Sequence, residues 1–387
     1  MNNGNDINEA LKGLAILAMV GPAFVWCAEY IGSGEVILAT RTGAILGYTV
    51  IWAVVVGIIL KYWIGLSGAR YTVCTGEGMI DMFSRMPGRG NWAVWIVLIV
   101  QFIAGAISIG SVASAAGIFA NSIIPLKPFV WGWIITIFVI FVVWSGKFDI
   151  IKYIMSILIF IIIFGILYVA IRTFPGVGEL FKGIVGFDIP DYPDWAKRIG
   201  GLSDNPWNEI LPLIGWAAGG FASQVWYTYW VLGAGYGMAK GRKYGEPCDP
   251  EALKNMTAET AKRVKGWCNV VYVDATIAMI IGIVVTAGFM LSGSGILRPE
   301  QIAPEGASVA IELSNIFRKI WGSVGAYLFM IGGCAALIGT LIGQFAGWPR
   351  LIADSLRICV PGFNRKLKWY TQFRIFVIIF FTTKFWF

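Results

Sequence analysis

The sequence of 387 residues contains no histidine. Histidine is the side chain that usually titrates near neutral pH, so any proton coupling must run through carboxylates. Charged residues are also scarce, at 13%, against roughly a quarter in a soluble domain. The six cysteines (Cys27, Cys74, Cys248, Cys268, Cys334 and Cys359) are scattered without CxxC spacing. That argues against a disulfide framework or a zinc site and leaves small apolar packers. There is no Walker A loop and no HExxH motif. The glycines of Gly233-Ala234-Gly235-Tyr236-Gly237 follow no strand pattern, so a dinucleotide site is not supported. No enzyme constellation remains, no catalytic residue is assigned, and no cofactor is expected. The polar head, residues 1–9, lacks the basic region and cleavage site of a signal peptide.

What the sequence does hold is apolar: 57% hydrophobic residues and a mean hydropathy of +0.72. This composition predicts an all-α polytopic membrane protein forming a single transmembrane domain. Nine apolar stretches approach the ~20 residues of a bilayer helix: 11–40, 43–66, 92–124, 129–145, 150–173, 209–238, 267–292, 320–347 and 370–387. One alternating set of loops is richer in Lys and Arg, with Arg70, Arg85 and Arg89, then Lys240 to Lys265, then Arg350 to Lys368. The positive-inside rule makes that set cytoplasmic, together with the amino terminus. The net charge of +8 is read as orientation rather than nucleic-acid binding. The longest outside loop, 174–208, separates a first group of five spans (11–173) from a second group (209–387). In the basic loop 239–266, Asp249 followed by Pro250 predicts the start of a short surface helix.

The organising feature is Tyr30-Ile31-Gly32-Ser33-Gly34-Glu35, in the middle of the first span. Glycines weaken a helix, and backbone groups freed within the hydrocarbon need protein, water or a ligand as partners. A packing notch and a cation site are both compatible with this stretch alone. The sixth span carries a second interruption, Ala217-Ala218-Gly219-Gly220-Phe221-Ala222-Ser223-Gln224. Paired breaks in corresponding helices of two halves point to a transporter site. The first break offers carbonyls near Gly32, the Ser33 hydroxyl and the Glu35 carboxylate. The second offers carbonyls near Ala218, Ser223 and Gln224. Gln344, a buried amide in the small-residue stripe Gly339, Gly343 and Gly347 of the eighth span, reaches toward the same centre. An all-oxygen donor set suits hard cations such as Mg²⁺ or Mn²⁺. Glu29, Glu35 and Asp274 are the intramembrane carboxylates available for proton coupling, with Asp274 alternatively a structural acceptor. Lys61 either neutralises Glu29 or snorkels to the interface.

Several motifs resemble one family. Gly21-Pro22-Ala23-Phe24, Tyr30, Gly43 and Gly47-Tyr48 resemble the first helix of the NRAMP divalent-metal transporters (natural resistance-associated macrophage proteins). Ala69-Arg70 to Thr75-Gly76 resembles the end of their second helix, and Gly339-Thr340-Leu341-Ile342-Gly343-Gln344 their eighth-helix signature. Where the family has Asp-Pro-Gly-Asn, this chain has Gly32-Ser33-Gly34-Glu35. Where it has Met-Pro-His, this chain has Phe221-Ala222-Ser223. A further family histidine aligns with about Thr228, while Gln344 matches a family glutamine. The chain therefore resembles a divergent branch of the family. The resemblance implies the leucine-transporter type of fold: two inverted five-helix repeats, alternating access, and broken first and sixth helices. By the same comparison the tenth helix is expected to be missing after Phe387. The implied function is secondary transport of a divalent metal of the Mn/Mg/Fe class, and loss of the methionine favours a harder ion. A symporter of organic cations, amino acids or Na⁺-coupled solutes, and a non-transporting membrane subunit or sensor, remain alternatives. The expected partners are the divalent ion and the lipid bilayer, in a cell (inner) membrane.

Overall fold

The computed structural model describes residues 7–383 apart from 200, 201, 203, 204, 304, 306 and 307. The amino-terminal residues 1–6 and the last four residues of the ninth expected span, 384–387, lie outside the described residues. Among the described residues there are helices and no strands. A 3-10 turn, Gly13–Met19, precedes α1 (Pro22–Tyr30), and the two are bent 58° apart. After a break, a π-helical turn, Gly34–Ala39, runs into α2 (Thr40–Leu46). Next come α3 (Ile51–Thr75), α4 (Met79–Ser84), α5 (Trp92–Ile123), α6 (Pro128–Val143), α7 (Phe148–Arg172) and α8 (Val177–Val185). The second half holds α9 (Trp207–Trp216), α10 (Phe221–Ala234), α11 (Pro250–Lys254) and α12 (Ala258–Ser292). It continues with α13 (Ser308–Cys359), α14 (Pro361–Lys366) and α15 (Trp369–Thr383).

Among the described residues, five helices are long and apolar enough to cross a membrane, or up to six if the bent pair counts as one span. The other expected spans are split or shorter. The sixth is divided into α9 and α10, while α6 and α15 are apolar but short. The first expected span, 11–40, holds the bent pair and the break, and its helical structure continues past 40 through α2 until Gly47 turns the chain at φ +80°. Leu11, Leu14 and Leu17, at the start of this stretch, are exposed. α12 begins nine residues before the expected position, because Thr257 caps it by accepting the Thr260 N–H at 3.2 Å. The surface helix α11 forms as expected, with Asp249 accepting the N–H groups of Glu251 and Ala252. α13 continues through Pro349 to Cys359, beyond the expected end at 347. Arg350, assigned from sequence to a basic loop, is buried. Its guanidinium donates to the Gly146 carbonyl at 2.9 Å and lies 4.8 Å from the ring centres of both Tyr244 and Phe373.

The broken helices form the centre. Every residue of α1 except Phe24 is buried, as is every residue of α10 from Ala222 to Leu232. α5, α6 and α7 instead carry apolar side chains on open faces, including Ile99, Phe141 and Phe164. Such faces suit the hydrocarbon, where burial against protein is not required. The stripe on α13 explains how α1 reaches the middle. A β-carbon on Gly339 would lie 2.3 Å from the Ala28 carbonyl oxygen, and one on Gly343 2.2 Å from Glu29 Cβ. Small residues thus let the two helices approach closely. Because the obstacle at Gly339 is backbone, Gly339→Ala is expected to destabilise by about 1–3 kcal/mol. A fall in the thermal unfolding midpoint of the purified protein checks this; an unchanged midpoint would refute the close approach.

Candidate cation site between the broken helices

α1 ends at Tyr30, and Ile31 turns extended (φ −72°, ψ 92°). The carbonyls left free there are met from α13: the Thr340 hydroxyl donates to the Glu29 carbonyl at 2.8 Å and to the Ile31 carbonyl at 3.3 Å. Gly32 is required by this contact, since a β-carbon would fall 2.1 Å from Thr340 Oγ1. On the other side, α9 ends at Trp216, and Ala218 and Gly219 both take left-handed conformations (φ +60° and +69°) before α10 starts. For alanine that conformation costs about 1 kcal/mol. Backbone strain of this kind gathers where the surrounding structure imposes it.

The expected ligands divide into two groups. Glu35 braces both breaks: its carboxylate accepts the Gly32 N–H at 2.8 Å and the Ala218 N–H at 3.1 Å. The Ala218 carbonyl accepts from Gln224 Nε2 at 2.9 Å. Lys61 neither pairs with Glu29 nor reaches for the interface; its ammonium donates to the Ile214, Gly215 and Ala217 carbonyls that end α9. Asp274 sits apart from the breaks. One of its oxygens accepts the Gly21 N–H at 2.9 Å and the other the Tyr227 hydroxyl at 2.8 Å, which anchors the start of α1.

The second group faces a cavity of about 140 Å³ between the breaks. Its lining includes Glu29, Gly32, Ser33, Ser223 and Gln344, whereas Glu35, Ala218 and Gln224 are not part of it. Glu29 is buried and is its one carboxylate. It accepts a hydrogen bond from Ser223 Oγ, which in turn accepts from Trp26 Nε1 at 3.2 Å. Gln344 donates through Nε2 to Ser108 at 3.0 Å, while its buried Oε1 accepts no hydrogen bond within the structure. An unsatisfied buried acceptor and a buried carboxylate lining one cavity call for a donor or a cation. Sequence reasoning did not single out Thr340, Gln101 or Trp216 for this lining. Thr340 had a signal, standing one turn before Gln344 in the small-residue stripe; the other two had none.

Among the described residues there is no group of three or more His, Cys, Asp or Glu able to hold a metal ion. A cation in this cavity would meet one carboxylate and neutral oxygens. Of Trp226, Tyr227, Tyr229 and Trp230 on α10, only Trp226 lines the cavity. Tyr227 stacks on Trp26 with ring centres 4.1 Å apart, Tyr229 bonds Asp354, and Trp230 packs beside Arg350.

Residues 23–199 match the profile described as natural resistance-associated macrophage protein-like, or Nramp. Over that stretch the chain is similar to the Nramp family. Curated relatives include proteins named divalent metal cation transporter MntH. The Yersinia pestis protein is 29% identical over 25% of this chain and 24% of its own length. The Pectobacterium carotovorum protein is 32% identical over 21% of this chain and 20% of its own. The chain thus spans about a quarter of the length of the curated relatives it matches. Solved structures extend the likeness of fold. A manganese transporter from Eremococcus coleocola superposes with a TM-score of 0.60 at 16% identity, over 98% of this chain and 79% of that one. The nucleobase-cation-symport-1 family transporter Mhp1 gives 0.58 at 15%, over 95% and 72%. The architecture is therefore the polytopic, broken-helix arrangement of the leucine-transporter type.

Proposed function

We propose that this Nramp-like protein is a secondary transporter of divalent cations and that the ion binds in the cavity between the broken helices. The observation carrying this is Glu29, a buried carboxylate that shares the cavity between the two interrupted helices with Gln344, whose Oε1 accepts no hydrogen bond. Intramembrane carboxylates facing such cavities mark ion pathways. Ser33, Ser223 and the backbone near Gly32 supply further oxygens, and Glu35, Ala218 and Gln224 hold the breaks that shape the site. The names of the MntH relatives agree in substrate class. No cysteine, methionine or histidine lines the cavity, which favours hard ions such as Mn²⁺ and Mg²⁺ over Cd²⁺. The two breaks serve as corresponding elements of two repeats, 11–173 and 209–387, working by alternating access. The basic loops and the amino terminus face the cytoplasm, in a cell membrane. Glu29 is the carboxylate placed for proton coupling; Asp274 is a structural anchor.

One observation favours a second substrate class. Tyr30, Trp216, Phe221, Trp226 and Trp348 also line the cavity, and aromatic faces attract organic cations. Flux into proteoliposomes separates the two readings, using Mn²⁺, Mg²⁺, Cd²⁺ and small alkylammonium ions with and without a pH gradient. Saturable Mn²⁺ or Mg²⁺ flux exceeding that of Cd²⁺ is the expected result. Flux of the organic ions alone would replace this proposal with the second.

A further inference from the structure

The carbonyls that end α9 converge on one side chain. Lys61, in the middle of α3, places its Nζ 2.9 Å from the Ile214 oxygen, 2.7 Å from that of Gly215 and 2.5 Å from that of Ala217. An ammonium has three donors and no acceptor, so these carbonyls complete its hydrogen bonding. A helix end also carries partial negative charge, and exposed carbonyls at half-helix ends are the groups that coordinate small cations in transporters with broken helices. The approach of α3 is built for this contact. One turn before Lys61, on the same face, a β-carbon on Gly57 would lie 3.0 Å from the Ile214 oxygen, so glycine lets the helix come near enough. Across the break, the Glu35 carboxylate holds the Gly32 and Ala218 N–H groups. A snorkelling lysine would leave its head among water and lipid headgroups; this one spends every donor on the break.

We propose that Lys61 is a tethered cation: it fills the carbonyl-lined cation position at the second break, so that no free monovalent ion binds there. If the transport proposal holds, the cavity at Glu29 is then left to the transported ion alone, and uptake needs no monovalent co-ion at this position. Only that last consequence rests on the transport proposal; occupancy of the position is tested without flux.

The test is thermal unfolding of the purified full chain, comparing the parent with Lys61→Ala and Lys61→Met. Ethylammonium, K⁺ and Na⁺ are added in turn, with choline as the ionic-strength control. Lys61→Ala is expected to melt several degrees lower, and ethylammonium or K⁺ to reverse the loss saturably while choline does not. The parent should not respond to any of them. Lys61→Met fills the space without charge and should show the loss without the recovery. If Lys61→Ala does not accumulate, Lys61→Arg, which keeps the charge, should accumulate where Lys61→Met does not. A Lys61→Ala or Lys61→Met protein as stable as the parent overturns the proposal, and so does a loss that no small cation reverses. Absence of flux in the parent protein would refute transport and leave this result standing.

Discussion

Glu29→Gln will remove saturable cation binding and uptake while the protein stays folded. Glutamine keeps the shape and still accepts the Ser223 hydrogen bond, so the substitution deletes charge and little else. Among the cavity-lining groups nothing replaces that charge: Ser33, Ser223, Thr340 and Gln344 are neutral. Losing the charged partner of a desolvated cation costs about 2–5 kcal/mol, which is roughly 30-fold to several-thousand-fold in affinity. The control is Glu35→Gln. Its carboxylate spans the Gly32 and Ala218 N–H groups, and hydrogen bonds to a charged group contribute about 1.5–3 kcal/mol each. That variant should therefore lose thermal stability first and affinity second. Isothermal titration with Mn²⁺ or Mg²⁺, read beside the unfolding midpoint, distinguishes them. Full binding by Glu29→Gln together with lost binding by a stable Glu35→Gln would move the site to Glu35.

The contrast between these two glutamates marks how far the sequence could be read. Both breaks were legible, because glycines and polar residues halfway along an apolar span conflict with a continuous helix, and the structure interrupts the backbone at both. Which acid faces the cavity was not legible. In an unbroken helix the side-chain direction follows from spacing, but the extended turn at Ile31 resets the direction of everything after it. Glu35, next to the glycines, thus turns to backbone amides, and Glu29, still on α1, faces the cavity. Lys61 was unreadable for another reason: its three acceptors lie more than 150 positions away in sequence. Arg350 misled by type, since a buried guanidinium among rings looks in sequence like any basic loop residue. Span limits failed where capping rather than hydropathy set the helix end, as at Thr257.

Arg357→Ala will unlatch one end of the bundle. Arg357 on α13 donates to Asp81 of α4 at 2.6 Å and to Asp354 at 3.1 Å, and Asp354 also accepts the Tyr229 hydroxyl of α10 at 3.0 Å. Beside it, Glu77 bonds Tyr71 and Arg85 and accepts the Cys248 N–H from the basic loop. One guanidinium therefore joins α4 and α13, and through Asp354 it reaches α10, the helix that leads away from the cavity. Asp81, Asp354 and Arg357 are all shielded from solvent. Removing the only cation of this triad leaves two carboxylates facing each other, and breaking a buried pair in this way costs about 3–5 kcal/mol. The pH dependence carries the same signature. Burial, then the Asp354 charge, push Asp81 from the ordinary carboxylate range up to about 7, against the pull of Arg357. An acid whose pKa is raised in the folded state holds an extra proton there between its ordinary value of about 4 and about 7. Its contribution is full below that window, declines by at most about 1.4 kcal/mol per pH unit as pH rises through it, and is flat above. The parent should melt progressively lower from pH 5 to pH 7 and then level off, and Asp81→Asn should lose that slope. In Arg357→Ala the opposing pull is gone, so the slope should extend above pH 7 while the whole curve drops. Alkylation of Cys248 should quicken in the same variant, because the loop it belongs to is held by the adjoining cluster. An Arg357→Ala protein with the parent's melting curve and the parent's Cys248 reactivity would show that the triad latches nothing.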